Sequence, residues 1–338
     1  MRIGSSALIG CVALLMIAFI GFLKKEIDRI EIPKDGQEAI LFSNQTRSDL
    51  TKTYVSAIND AKKSILLMIY SITDKCVIEA LRQKSEEGVN VKLICHDEIS
   101  YNIEKRIGNK VKILKRAGPG LMHLKIMVID DHLTFIGSAN MTSASLKMHG
   151  NLCLAFESPS LSSYVTEKAL CMGLNKNISE VPKKSLIIGE QLVEVFFLPD
   201  ESTAHLRIKQ LIREAKKTIR VAMFTFTRED FAKELIAASL KGVDVNVSLD
   251  NSSSKGCCLK IFEILNKSTV SLKVNKGPGL LHHKFLYIDG NILVNGSANW
   301  TKSAFNANDD CFVILHQLTH DQSLQMDNLW EAIITDSI

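Results

Sequence analysis

The stretch LLHHKFLYIDGNILVNGSANWT, Leu280–Thr301, repeats the polar choices of GLMHLKIMVIDDHLTFIGSANMT, Gly120–Thr142. In each, a histidine (His123, His282) precedes a lysine (Lys125, Lys284) by two places. An aspartate (Asp130, Asp289) stands five places beyond the lysine. Gly-Ser-Ala-Asn follows after the same gap, supplying Ser138 and Asn140, then Ser297 and Asn299. One His-x-Lys motif is a weak signal; two at equivalent points of one chain are a strong one. A duplication that only copied core residues would account for the apolar positions. It would not account for His, Lys, Ser and Asn, which are costly to bury unless bonded.

The repeat extends outward from these stretches. Asn59–Thr73, NDAKKSILLMIYSIT, matches Arg213–Thr227, REAKKTIRVAMFTFT, at an offset of 154. Gly88–Ile94 matches Gly242–Ser248 at the same offset, whereas Gly118–Lys125 matches Gly277–Lys284 at 159. Five residues are therefore gained between Gly242 and Gly277, around NSSSKGCC, which reads as a loop. Two copies indicate two fused halves, since a solenoid needs three or more short units.

Each half has the same expected elements. Leu50, Tyr54 and Ile58 share one helix face, as do Ile208, Leu211, Ile212 and Ala215. The apolar runs Ile65–Ile72 and Ile219–Phe226 suit central strands buried on both faces. A helix should follow each, opened in the second copy by Thr227 with Asp230 as a capping pair. Short strands are expected at Val89–Cys95 and Val111–Lys115, and at Val243–Leu249 and Val270–Val274. The motif itself reads as a hairpin: Lys284–Asp289, a turn at Asp289-Gly290-Asn291, and Ile292–Asn295. Alternating strands and helices give an α/β architecture of two sandwich halves. The expected organisation is residues 1–24 as anchor, 25–36 as linker, 37–159 as first half, 160–189 as connector and 190–338 as second half.

Composition agrees with a globular body. Apolar residues make up 46% of the chain, and a net charge of +4 is too small to argue nucleic-acid binding by itself. Ser5–Leu23 is 19 residues without a charge, long enough to span a bilayer as a helix. Arg2 precedes it, Lys24, Lys25 and Arg29 follow it, and no small-x-small cleavage site is present. The expectation is an uncleaved single-pass anchor, with the basic residues favouring a cytoplasmic body. The eight cysteines, Cys11, Cys76, Cys95, Cys153, Cys171, Cys257, Cys258 and Cys311, form no C-x-x-C pair and read as mostly buried thiols. The vicinal pair Cys257-Cys258 is a weak redox candidate.

If the halves face each other, His123, Lys125, Ser138 and Asn140 meet His282, Lys284, Ser297 and Asn299. Two imidazoles would flank two ammonium groups and two carboxamides, a donor set suited to a phosphate. One histidine could attack phosphorus while the other protonates the leaving oxygen. That chemistry calls for no metal or other cofactor, and no carboxylate cluster is evident in the sequence.

The paired HxKxxxxD motifs, each followed by GSxN, resemble the phospholipase D superfamily over residues from about Lys34 to the C-terminus. The resemblance implies two α/β halves joined across a pseudo-twofold as an internal pseudo-dimer, and a reaction through a phosphohistidine. By family habit His123 is the nucleophile and His282 the general acid. Lys125, Lys284, Asn140 and Asn299 would bind phosphate, with Ser138 and Ser297 supporting them. Asp130 and Asp289 complete the motif's catalytic set, as structural neighbours rather than bases. An acidic residue often lies eleven places after the motif Asn, and Asp310 fills that place in the second half. The first half has Asn151 there, which can orient an imidazole but cannot stabilise its cation by charge. In some members this residue reaches across to the opposite motif.

The resemblance leaves the substrate open. An anchored phospholipase acting on a membrane headgroup is the leading expectation; a metal-independent nuclease and a non-enzymatic phosphate- or lipid-binding scaffold are the alternatives. A phospholipid synthase is less expected, because those members usually carry two N-terminal spans. Lys105, Arg106, Lys110, Lys112, Lys115 and Arg116 precede one motif, and Lys255, Lys260, Lys267, Lys273 and Lys276 the other. They read equally as a positive rim for anionic lipid or nucleic acid and as ordinary solvated faces. Tyr101 and Trp300 are the candidate stacking aromatics.

Overall fold

Two mixed sheets carry the protein, one from each half. The computed structural model describes residues 30–338 apart from 47, 99–101, 174–183 and 202. The charge-free run Ser5–Leu23, Cys11 and Tyr101 lie outside the described residues. Among the described residues no helix is long and apolar enough to cross a membrane.

The first sheet holds β1 (Ile40–Phe42), β2 (Ser64–Ile69), β3 (Asn90–His96), β4 (Lys112–Arg116), β5 (Lys125–Ile129), β6 (Leu133–Gly137) and β7 (Cys153–Glu157). Its spatial order is β1-β7-β6-β5-β2-β3-β4. The second holds β8 (Lys184–Ile188), β9 (Gln191–Leu198), β10 (Thr218–Met223), β11 (Asp244–Asp250), β12 (Ser271–Asn275), β13 (Lys284–Ile288), β14 (Ile292–Gly296) and β15 (Asp310–Leu315). Its order is β12-β11-β10-β13-β14-β15-β9-β8. In both, the crossover strands are parallel (β2-β3-β4, β10-β11-β12) and the motif hairpins antiparallel (β5-β6, β13-β14). The segment 160–189, expected as a connector, carries part of the helix Pro159–Gly173 and the strand β8.

The apolar runs become central strands for the expected reason. Ile65–Ile69 and Val221–Met223 are buried, because each sheet packs helices on one face and the other sheet on its second face. The inner faces share one apolar core: Met68, Ile126 and Phe156 of the first half cluster with Phe285, Tyr287 and Val313 of the second. The helices Leu50–Asp60 and Ala204–Glu214 bury the faces read from their periodicity, with Leu50, Tyr54 and Ile58 in one and Ile208, Leu211 and Ile212 in the other.

Two local readings are overturned. NSSSKGCC is a turn only in its last three residues: Asn251–Lys255 is a short helix, because the Asp250 carboxylate caps Ser252 and Ser253 N–H at 2.9 and 3.1 Å. Thr227 does not cap the helix Glu229–Leu240; its N-cap is Arg228, with no side-chain capping bond, and Asp230 is held by the Arg228 guanidinium at 2.7 Å. Trp300 is core rather than a stacking platform, 3% exposed and edge-on to Phe226 and Phe231.

Candidate active site

The two Gly-Pro-Gly-Leu loops bring the halves together. Leu121 C=O accepts from Asp309 N–H and Leu280 C=O from Gly150 N–H, both at 2.8 Å, so each loop bonds to the opposite half. A Cβ on Gly120 would lie 1.9 Å from Ala307 C=O, and one on Gly279 1.9 Å from Met148 C=O. Only glycine lets the backbones approach this closely. Arg116 adds a fork across the same seam, donating to both carboxylate oxygens of Asp309 at 2.5 and 3.2 Å.

This seam crosses the orienting partners. His123 Nδ1 donates to Asp310 Oδ1 of the other half at 2.8 Å. His282 Nδ1 donates to Asn151 Oδ1 of the first half at 2.9 Å. The amide orientation of Asn151 follows from its Nδ2, which donates to Ser145 and His149 C=O at 2.8 and 3.2 Å. Both rings are thus held as Nδ1–H tautomers. Each is 8% exposed, and neither Nε2 has a hydrogen-bond partner among the described residues, so a lone pair remains for chemistry.

The lysines lie beside them. Lys125 and Lys284 begin β5 and β13, and each Nζ donates to the carbonyl of its own motif histidine, at 2.7 and 2.6 Å. Tyr70 lies 5.3 Å from Lys125 Nζ and Phe224 5.1 Å from Lys284 Nζ, ring centroid to nitrogen. Burial pushes Lys125 down to about 7, and burial with the charge of Lys125 holds Lys284 well below the ordinary lysine range. His123 is lowered by burial and by Lys125, against the pull of Asp310. His282 is lowered further, by burial and then by both lysines. Asp310, although burial works to raise it, ends lowered through the charge and hydrogen bond of His123. Asp310 is thus held toward its anion, while burial disfavours the cationic forms of His123 and of both lysines.

The remaining motif residues fall in two groups. The Asn140 and Asn299 Nδ2 groups have no hydrogen-bond partner among the described residues. Asn140 Oδ1 is buried without a partner, while Asn299 Oδ1 accepts from Thr225 N–H at 3.2 Å. Ser138 and Ser297, read as phosphate contacts, are instead buried behind the histidines. Ser138 Oγ donates to Asn151 Oδ1 at 2.8 Å and Ser297 Oγ to Asp310 Oδ1 at 2.6 Å, and each accepts the next strand's N–H. They brace the orienting residues. Asp130 and Asp289 leave the site altogether. Each follows the far end of its five-residue strand, about 15 Å from the histidine end. Asp130 accepts from Lys62, Lys63 and Ser64 N–H at 2.6–2.8 Å, and Asp289 from Lys216, Lys217 and Thr218 N–H at 2.7–2.8 Å. With three N–H donors each, they pin the start of β2 and β10 rather than act in chemistry. The basic rim is also partly spent: Arg106, Lys115, Arg116 and Lys260 bond to Thr73 C=O, Glu104, Asp309 and Glu229. Among the described residues no three His, Cys, Asp or Glu side chains converge as a metal site.

Several residues beside the motifs escaped the sequence reading. Tyr70 packs edge-on to His123 at 5.3 Å, and Phe224 lies 4.9 Å from His282. His149 lies 6.3 Å from His282. His96 and Asp250 end β3 and β11, and each accepts the N–H preceding a motif histidine: Met122 N–H to His96 Nδ1 at 3.3 Å, Leu281 N–H to Asp250 Oδ2 at 3.0 Å. The offset of 154 pairs Tyr70 with Phe224 and His96 with Asp250, so the signal was present in the repeat.

Comparison with known proteins places this geometry in a family. The family described as "Cardiolipin synthase, PLD-like domain" matches residues 54–170 and again 208–330. A mitochondrial cardiolipin hydrolase of Chlamydomonas reinhardtii is 27% identical over 180 residues, covering 45% of this chain and 79% of that protein. A cardiolipin synthase of Clostridium perfringens strain 13 is 26% identical over 325 residues, covering 82% of this chain and 67% of its own. The crystal structure of a phosphatidylserine synthase from Haemophilus influenzae superposes with a TM-score of 0.71 at 12% identity, over 93% of this chain and 90% of that one, a likeness of fold. Synthases as well as hydrolases are thus among the similar proteins, and the single N-terminal run gives no ground for setting synthases aside. With both halves matched, the chain belongs to the phospholipase D superfamily, in its cardiolipin synthase-type PLD-like domain family.

Proposed function

We propose that the protein cleaves a phospholipid headgroup phosphodiester through a covalent phosphohistidine. His123 Nε2 attacks phosphorus, the bond to the leaving alcohol breaks, and His282 Nε2–H gives that oxygen its proton. Water then attacks phosphorus, His282 takes its proton, and the P–N bond breaks to restore His123. The observation that carries this assignment is the crossed pairing. A histidine bonded to phosphorus becomes cationic, and the buried Asp310 carboxylate at 2.8 Å stabilises that cation. Asn151 offers His282 no charge, which leaves its protonated form the stronger acid. The substrate's own negative charge favours the protonated forms of His282, Lys125 and Lys284, which burial alone disfavours. Asn140 and Asn299 Nδ2 would complete the phosphate cradle.

The lipid substrate is supported by the names of both relatives, and the Ser5–Leu23 run would hold the body at a membrane. The test mixes the full chain in EDTA with cardiolipin-containing vesicles and a labelled single-stranded oligonucleotide, with His282→Ala as blank. Headgroup release supports the proposal. Transfer of the phosphatidyl group to an added alcohol in preference to water makes the reaction a synthase's. Cutting of the oligonucleotide alone replaces the lipid reading with a nuclease.

A further inference from the structure

Beside each motif histidine, a side chain at the end of the middle crossover strand, β3 or β11, holds the preceding backbone N–H. In the second half this is Asp250, whose Oδ2 accepts from Leu281 N–H while Oδ1 caps the helix Asn251–Lys255. In the first half it is His96, 5% exposed, whose Nδ1 accepts from Met122 N–H. The positions are equivalent in the repeat, but the acceptors differ in chemistry. A carboxylate accepts throughout the neutral and mildly acid range. An imidazole nitrogen accepts only while it lacks a proton, and histidine gains one in weakly acid solution.

We propose that His96 is a positioning residue for His123, and that its protonation switches the first half off while Asp250 keeps the second half in place. The inference rests on the two-histidine reading above. Accepting at Nδ1 places the His96 proton on Nε2. A second proton, on Nδ1, sets N–H against N–H and expels Met122 N–H from its bond. Met122 immediately precedes His123, whose own N–H donates to Asp309 C=O at 2.8 Å across the seam. Loss of the Met122 bond removes the backbone anchor that the first half's own sheet supplies and leaves His123 to the Asp309 and Asp310 contacts across the seam and to Lys125.

The groups facing His96 are few. Just past the end of β2 the Tyr70 ring lies 5.4 Å away and forms the wall between His96 and His123. Glu98 acts on the Tyr70 hydroxyl, working with burial to raise it. On β4 the register partner is Arg116, neutralised by Asp309. Beside these, Asp97 lies 3.7 Å from Lys115, which also pairs with Glu104. Among the described residues no carboxylate hydrogen-bonds to the His96 ring, so nothing there answers the charge that protonation would bring.

The test uses the full chain and two variants. His96→Asn keeps an acceptor, Oδ1, where Nδ1 stood, and does not titrate. It should keep kcat near pH 7.5 within about threefold and move the acid limb of log kcat to lower pH. His96→Ala has no acceptor and should lower kcat about tenfold at every pH, the effect of one buried hydrogen bond. An acid limb unchanged in His96→Asn overturns the proposal. A second measurement needs no substrate: the Met122 amide of 15N-methionine-labelled protein, followed by NMR with pH. It should shift as the pH falls in the wild type and shift much less in His96→Asn. A Met122 amide indifferent to pH also overturns the proposal. A titrating amide in a chain that cleaves no phosphodiester upholds the coupling and sinks the catalytic reading instead.

Discussion

Replacing Asp310 with Asn should slow formation of the covalent intermediate about a thousandfold. The carboxylate receives three donors: His123 Nδ1 at 2.8 Å and Ser297 Oγ at 2.6 Å on Oδ1, and Asn308 Nδ2 at 3.3 Å on Oδ2. An amide that keeps its oxygen toward His123 turns its NH2 against Asn308 Nδ2. Flipped, it presents NH2 to His123 and forces the other tautomer. Converting the charge-assisted bond to a neutral one costs about 1–2 kcal/mol. Losing the opposite charge about 5 Å from the centre of a nascent imidazolium costs about 3 kcal/mol at an effective dielectric near 20. The sum, about 4 kcal/mol, is close to three decades of rate. Asn151→Ala removes only a neutral acceptor from His282 and should cost about tenfold. The assay is single-turnover release of a fluorescent alcohol from a phosphodiester, with melting temperatures measured to confirm folding. Equal losses in the two variants, or an Asp310→Asn rate within threefold of wild type, would refute the division of labour between the histidines.

Other expectations follow from the same geometry. His123→Ala and His282→Ala should each abolish turnover in that assay, and near-normal activity in either removes the two-histidine mechanism. Because burial lowers Lys125 to about 7 and Lys284 well below its ordinary range, a bound phosphate analogue should draw in at least one proton at about pH 8, read by calorimetry in buffers of different ionisation enthalpy. Asp130→Asn should keep kcat within about threefold but lower stability by about 2 kcal/mol, since three N–H bonds are compromised. Burial works to raise Asp130, but those bonds leave it lowered. Its contribution is therefore full above the unfolded carboxylate pKa and lost as pH falls through the folded value. The gap in urea midpoint between wild type and variant should close on acidification. Gly120→Ala should cost about 1–3 kcal/mol and reduce activity with it, because its methyl would meet Ala307 C=O at the seam.

The duplication made much of this legible. Periodicity and the paired offsets located the central strands, the motif hairpins and both histidines, because those features depend on local pattern. What stayed hidden depends on side-chain direction. Ser138 and Ser297 look like phosphate ligands in a linear motif, yet the strand turns them behind the imidazoles toward Asn151 and Asp310. Asp130 and Asp289 look like partners of the histidines, yet five residues of extended chain carry them to the opposite end of the sheet. NSSSKGCC has loop composition, and one capping carboxylate made its first part helical. His96 and Asp250 stand at equivalent places without being identical, so identity between the copies does not mark a pair that does the same work with different chemistry.

Two identical chains meeting on a twofold axis must give both nucleophile and acid the same neighbour. An improvement to one is then forced on the other. Joining the copies in a single polypeptide removes that constraint, since position 151 and position 310 can change independently. Each histidine is tuned by a residue the opposite copy encodes, so neither copy holds a complete reacting group. Separated halves would have to reassociate in the right pairing to work at all. Re-pairing two first halves would surround both histidines with asparagine, and two second halves would surround both with aspartate. The covalent link fixes the one arrangement in which acid and nucleophile are different.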